Sequence, residues 1–215
     1  MTFKEKEYMN KNVPNILTIS RIICTPIIIL LFLLPIPNGI GVFVALGIYI
    51  IGCFTDLLDG KIARKYNLIT DFGKFMDQIA DKFITTTAMI LVLFSGFVTP
   101  YWLAVLIILI VVLRDILVSG IRMYAANLNI VIAADIFGKI KSFFLDIASM
   151  ILMFYIGYVV CTNNINMLFA DIVYYVGLVG ITIGAALSLL SAVNYSLKAI
   201  KAIKGKANNS EVKGE

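Results

Sequence analysis

The chain has 215 residues, of which 60% are hydrophobic and 14% charged, with a formal net charge of +5. A soluble domain of this length is usually less than half apolar and about a quarter charged, so the composition excludes an ordinary soluble fold and predicts an integral membrane protein. Histidine is absent, which excludes His-ligated zinc or iron, a Ser-His-Asp triad and any imidazole base.

The N-terminal MTFKEKEYMNKNVPN is polar and mixed in charge, and ILTISRIICTPIIILLFLL then rises into the first apolar stretch. No small-residue cleavage site precedes PIPNG, and a second apolar run follows at once, so a retained span is expected rather than a signal peptide. PIPNG, residues 35–39, is expected as a tight turn, with a second span over about 40–58. A third span is expected over about 79–97, closed by SGFVTP, and a fourth from Tyr101 to about Leu117. Segments near 140–160 and 171–193 supply the fifth and sixth. The expected fold is therefore all-α, a polytopic integral membrane protein with six transmembrane helices. Its expected divisions are an N-terminal cytoplasmic segment (1–15), a six-helix membrane catalytic domain (16–197) and a basic cytoplasmic tail (198–215). Cys24, Cys53 and Cys161 are too scattered for a ligand cluster, and the first two sit in apolar segments as small hydrophobes.

Charge placement predicts an orientation. PIPNG, SGFVTP and CTNNINMLFAD, which join the expected spans in pairs, hold no Lys or Arg. All eighteen basic residues lie in the tails, in 56–82, in 114–141, or at Arg21 near the start of the first span. With six spans these places share one side, and the positive-inside rule makes that side, with both termini, cytoplasmic. The C-terminal KAIKAIKGK reads equally as an anionic-lipid contact or a solvated tail.

The acids need more explanation than the bases. DLLDGKIARKYNLITDFGKFMDQIAD, residues 56–81, holds Asp56, Asp59, Asp71, Asp77 and Asp81, five of the thirteen acids, between two apolar segments. On a helix, Asp56, Asp59, Gly60 and Ala63 fall within about 100° of one another. Gly73, Asp77 and Asp81 are spaced four apart and share a face. The small residues beside the acids allow a partner helix or ligand to come close. Four facing carboxylates cannot all stay ionised without cations. All-oxygen ligation in a histidine-free chain points to Mg²⁺ or Mn²⁺, and four acids are enough for two ions, the usual clamp for chemistry at phosphorus. A solvated loop and a cation pathway are the rival readings. The phasing speaks against the first, and the location at one interface rather than the bilayer midplane speaks against the second.

Written as D56-x2-D59-G60-x2-A63-R64-x8-G73-x3-D77-x3-D81, the stretch resembles the signature of the CDP-alcohol phosphatidyltransferases. The wider context is most similar to the phosphatidylglycerophosphate synthase branch, through NVPNILTISRI, GKFMDQIADK, RDILVSGIRMYAA and IAADIFGKIKS. The chain departs from that branch at Gln78, where Pro is usual, and at Asp115, where Glu is usual. The resemblance implies a homodimer at the cytoplasmic leaflet of the cell membrane that moves a phosphatidyl group from CDP-diacylglycerol to an alcohol and releases CMP. It implies Asp56, Asp59, Asp77 and Asp81 as metal-site acids, with Asp81 also the general base. Gly60, Ala63 and Gly73 would line the nucleotide together with Asp56, and Arg64 would support that end of the site. The branch implies glycerol 3-phosphate as acceptor; serine, inositol or inositol phosphate, and phosphatidylglycerol are the alternatives.

On this reading the partners are CDP-diacylglycerol, glycerol 3-phosphate and membrane phospholipid, with no nucleic acid. The acceptor's phosphate needs cations, and Arg114, Arg122, Lys139 and Lys141 around the second cytoplasmic loop are the available set. Arg114 directly follows an apolar run, so partial desolvation is expected, with a pair to Asp115 as the simpler reading. A membrane prenyltransferase and a small cation carrier are the rivals from other classes.

Overall fold

The computed structural model describes residues 13–66, 71–98, 100–128, 130, 136–162 and 166–211; within these, the side chains of 57–75 are among those outside the description. The described elements are α1 (Val13–Leu33), a 3-10 turn (Pro37–Gly39), α2 (Ile40–Tyr66), α3 (Asp71–Phe94), α4 (Tyr101–Asn127), α5 (Ile136–Cys161) and α6 (Met167–Glu211). The all-α class therefore holds among the described residues.

The helices divide between two compact units, Met1–Val98 with Ser149–Tyr175, and Thr99–Ala148 with Val176–Glu215. In the first, α1 ends where Pro35 forces Leu34 out of helical geometry. Pro37 opens the 3-10 turn, and Gly39 closes it at φ +64°, a left-handed conformation that side chains resist. A methyl on Gly39 would lie 3.2 Å from Gly157 O and from Cys161 N, so the turn is seated on the end of α5. The expected PIPNG turn is present.

In the same unit, α2 and α3 each pack on α1 among the described residues. Ile28, Ala45, Tyr49, Ala80, Ile84, Ala88 and Val92 are buried there. An aromatic cluster joins the ends of α5 and α6, with Tyr158 and Phe169 rings 5.4 Å apart edge to face. Tyr174 donates its hydroxyl proton to Val98 O at 2.9 Å, so its polar end is satisfied.

The second unit is built from α4, the start of α5 and most of α6. Small residues let two helices approach: a methyl on Gly180 would lie 2.9 Å from Ala148 Cβ, and one on Gly184 2.6 Å from Leu145 Cδ2. Ile107, Val111, Val118, Leu145, Ile181, Ala185 and Tyr195 are buried. Leu106, Leu109, Leu113, Ile116, Val179, Ile183, Leu190 and Val193 are exposed, the arrangement a lipid solvent rewards.

The expectation of six transmembrane helices is not met. Among the described residues, three helices are long and apolar enough to cross a membrane: Tyr101–Ala125, Ile140–Cys161 and Met167–Ile203. Thr18–Leu33 and Ile40–Asp56 are shorter apolar stretches among the described residues, on helices of 21 and 27 residues. α3 gives its first turns to Asp71, Lys74, Asp77, Asp81 and Lys82, so only its later turns are apolar. Six helical segments were thus legible, but three of them meet the length and composition of a span among the described residues. The six-span count also underlay the shared side of the basic loops, so that orientation loses its parity argument.

Candidate active site

The acidic array rests on two regular helices. Asp56 and Asp59 lie on α2, which continues through Tyr66 past its apolar stretch, and Gly73, Asp77 and Asp81 lie on α3. The side chains of Asp59, Gly60, Ala63, Arg64, Gly73 and Asp71 fall outside the described residues. Asp56, Asp77 and Asp81 are described, each half-buried.

Arg21 of α1 brings two of these acids together. Its Nη1 donates to Asp56 Oδ1, and its Nη2 donates to Asp77 Oδ1 at 2.8 Å. Arg21 is 1% exposed, whereas Asp56 and Asp77 keep 32% and 45% of their side chains accessible. The guanidinium is therefore the floor of the array and the carboxylates face outward from it. Thr25 donates from Oγ1 to Arg21 O at 3.0 Å, and Thr85 likewise to Asp81 O at 2.9 Å, so these hydroxyls are absorbed by their own helices.

Burial pushes the Asp56 carboxyl above the ordinary carboxylate range; Arg21 works against that rise and the neighbouring Asp77 charge adds to it. A guanidinium shared by two carboxylates leaves negative charge uncompensated within the pair. Hard oxygen donors with surplus negative charge suit a hard divalent cation. Among the described residues no three His, Cys, Asp or Glu side chains gather as a metal cluster. Of the three described acids of the array, Asp56 and Asp77 are the two that Arg21 brings together, and as hard oxygen donors they fit such an ion as part of a larger set.

A second polar group lies in the other unit. Arg114 Nη1 donates to Asp115 Oδ1 at 2.7 Å, Lys141 Nζ donates to the same oxygen, and Arg114 Nη2 donates to Ser191 Oγ. Lys141 is almost fully buried and Ser191 entirely so. Gly138 makes room for this group, since a methyl there would lie 3.1 Å from Arg114 Nη2 and 3.4 Å from Ser191 Oγ. Arg114 Nε, Ser188 Oγ and the Tyr195 hydroxyl are buried with no hydrogen-bond partner among the described residues. Of the four cations expected to hold an acceptor phosphate, Arg114 and Lys141 thus meet on one carboxylate. The pair between Arg114 and Asp115, the simpler expectation for that arginine, is formed. Arg122 is exposed, its guanidinium carbon 5.9 Å from the Tyr195 ring centroid. The Lys139 side chain falls outside the described residues.

Sequence reasoning missed Arg21 and Ser191 as parts of these groups. Arg21 had a signal: a cation inside ILTISRIICTP is expensive in an apolar helix and demands a partner. Ser191 had none, because a serine in a long apolar helix satisfies itself locally as readily as it meets a neighbour.

Residues 11–191 match the family described as CDP-alcohol phosphatidyltransferase. The chain is 33% identical over 189 residues to the CDP-diacylglycerol–glycerol-3-phosphate 3-phosphatidyltransferase of Rickettsia bellii, covering 87% of this chain and 94% of that protein. It is 34% identical over 187 residues to the protein of the same name from Rickettsia prowazekii, with the same coverage. The Bacillus subtilis protein of that name is 36% identical over 141 residues, covering 61% of this chain and 70% of the relative.

Proposed function

This chain belongs to the CDP-alcohol phosphatidyltransferase family, and on that footing we propose that it transfers the phosphatidyl group of CDP-diacylglycerol to glycerol 3-phosphate, giving phosphatidylglycerophosphate and CMP. The observation that carries the site assignment is the meeting of Asp56 and Asp77, two acids of the signature on different helices, at one guanidinium. The near full-length likeness to relatives named for glycerol 3-phosphate supports the acceptor.

In the proposed reaction the acceptor hydroxyl attacks the phosphorus that bears the diacylglycerol, and the bond to the CMP oxygen breaks. Asp81 takes the hydroxyl proton as that oxygen closes on phosphorus. Asp56, Asp59, Asp77 and Asp81 would hold Mg²⁺ or Mn²⁺, two ions per subunit, which neutralise pyrophosphate charge and ease the departure of CMP. Gly60, Ala63 and Gly73 leave space for the nucleotide, and Arg64 supports it. Arg114 and Lys141 bind the acceptor phosphate, with Lys139 and Arg122 adding charge. The buried Nε of Arg114, which has no hydrogen-bond partner among the described residues, supports this role, since it is a donor in want of an acceptor. The enzyme works as a homodimer with its site at the cytoplasmic face of the cell membrane, where a lipid with a charged pyrophosphate head and a water-soluble acceptor both reach it.

The test is an acceptor panel. Purified protein in lipid discs is given CDP-diacylglycerol, Mg²⁺ or Mn²⁺, and separately glycerol 3-phosphate, serine, inositol, inositol phosphate or phosphatidylglycerol, with products read by mass. Phosphatidylglycerophosphate should dominate, and chelation should stop it. Release of CMP only with another alcohol would overturn the acceptor assignment, and no CMP release with any acceptor would overturn the transferase reading.

A further inference from the structure

Arg21 takes no part in the transfer just described, yet at 1% exposure it is the most buried charged side chain among the described residues. It sits in the apolar run of α1, where a cation is costly unless it is paired. Its two described partners come from two other helices, Asp56 on α2 and Asp77 on α3. Among the described residues, both helices pack against α1. Like-charge repulsion drives the two acids apart. The guanidinium links them across the three helices.

A guanidinium does this in a way an ammonium cannot. Its nitrogens are held in a rigid plane at constant separation, so two carboxylates bound to Nη1 and Nη2 are constrained in distance and direction. Both contacts use Oδ1, so each carboxylate has a second oxygen to offer a cation. The geometry points to Arg21 as a positioning residue that sets the separation at which Asp56 and Asp77 take up a divalent ion. The inference rests on the metal-dependent reading above and adds α1 to the site as its third wall.

The test uses the full chain in lipid discs and Arg21→Lys, which keeps the charge and removes the fork. A neutral residue would confound lost geometry with lost charge. Three readouts are taken: Mn²⁺ affinity from the free-ion EPR signal, thermal unfolding in chelator and in saturating Mn²⁺, and the Mn²⁺ dependence of CMP release. R21K should bind Mn²⁺ about tenfold or more weakly, the size of effect seen when a residue that orients metal ligands is changed, and half-maximal CMP release should need correspondingly more Mn²⁺. Its unfolding temperature should approach that of wild type once Mn²⁺ saturates. Unchanged Mn²⁺ affinity would overturn the proposal. So would an R21K protein that unfolds equally early with and without saturating Mn²⁺, because Arg21 would then serve the fold alone. Wild-type protein that binds no Mn²⁺ would overturn both this inference and the metal reading. Wild type that binds Mn²⁺ but makes no phosphatidylglycerophosphate would sink the acceptor assignment, while weaker Mn²⁺ binding by R21K would still support Arg21.

Discussion

Asp81 and Asp56 differ in the work proposed for them, and single substitutions separate the two. Asp81→Asn removes a base and one ligand among several, so turnover should be lost while CDP-diacylglycerol affinity in saturating Mn²⁺ stays within several-fold. Asp56→Asn should damage metal binding and turnover together, because its carboxylate is tied directly to the Arg21 and Asp77 pair. Titration of the CDP-lipid beside steady-state turnover distinguishes them; D81N turnover near wild type would remove the base assignment. In the other polar group, Arg114→Gln and Lys141→Gln should each raise the KM for glycerol 3-phosphate about tenfold, since one charge-assisted contact is worth roughly 1.5–3 kcal/mol. The KM for CDP-diacylglycerol should move much less. Both cations are engaged by Asp115, so an equal shift in the two constants would show that they hold the helices rather than the acceptor.

At the scale of elements, the α5–α6 contact depends on the absence of side chains at Gly180 and Gly184. The nearest atoms to an added methyl are Ala148 Cβ at 2.9 Å and Leu145 Cδ2 at 2.6 Å. Ala148 has no rotamer to give, whereas Leu145 does. Gly180→Leu should therefore force the helices apart and destabilise the protein by about 1–3 kcal/mol or more, the range for overpacking a tight contact. Gly184→Ala should cost less than Gly180→Leu, because it adds a single methyl, although Leu145 Cγ at 2.8 Å must shift along with Cδ2. Thermal unfolding of detergent-solubilised protein checks the order, and equal stability of G180L and wild type would show that this contact is slack.

For the whole molecule, lipid is the solvent that makes the exposed leucines, isoleucines and valines of α4 and α6 tolerable. The chain should remain in the membrane pellet after an alkaline carbonate wash and leave it only with detergent. Recovery in the carbonate supernatant would contradict the three spanning helices. The acidic array lies on α2 and α3, outside those three helices.

The amino-acid order by itself determined that this is a helical membrane protein, where its helical segments lie, and which acids recur at helical spacing in 56–81. These are local properties: apolar runs, turn residues such as PIPNG, and repeats of three and four are each read within a few turns of chain. Tertiary structure decided the rest. Arg21 finds Asp56 and Asp77 across 35 and 56 residues of chain, and Arg114 finds Ser191 across 77. Such pairings depend on which helices pack, and the pattern along any one helix does not encode that. Arg114 and Lys141 meet on Asp115 while Arg122 goes to Tyr195, a division that four nearby cations in sequence could not reveal. The span count was misread for a related reason. Hydropathy locates apolar runs, but α3 spends its first turns on charged residues, and its apolar remainder is too short to cross a bilayer.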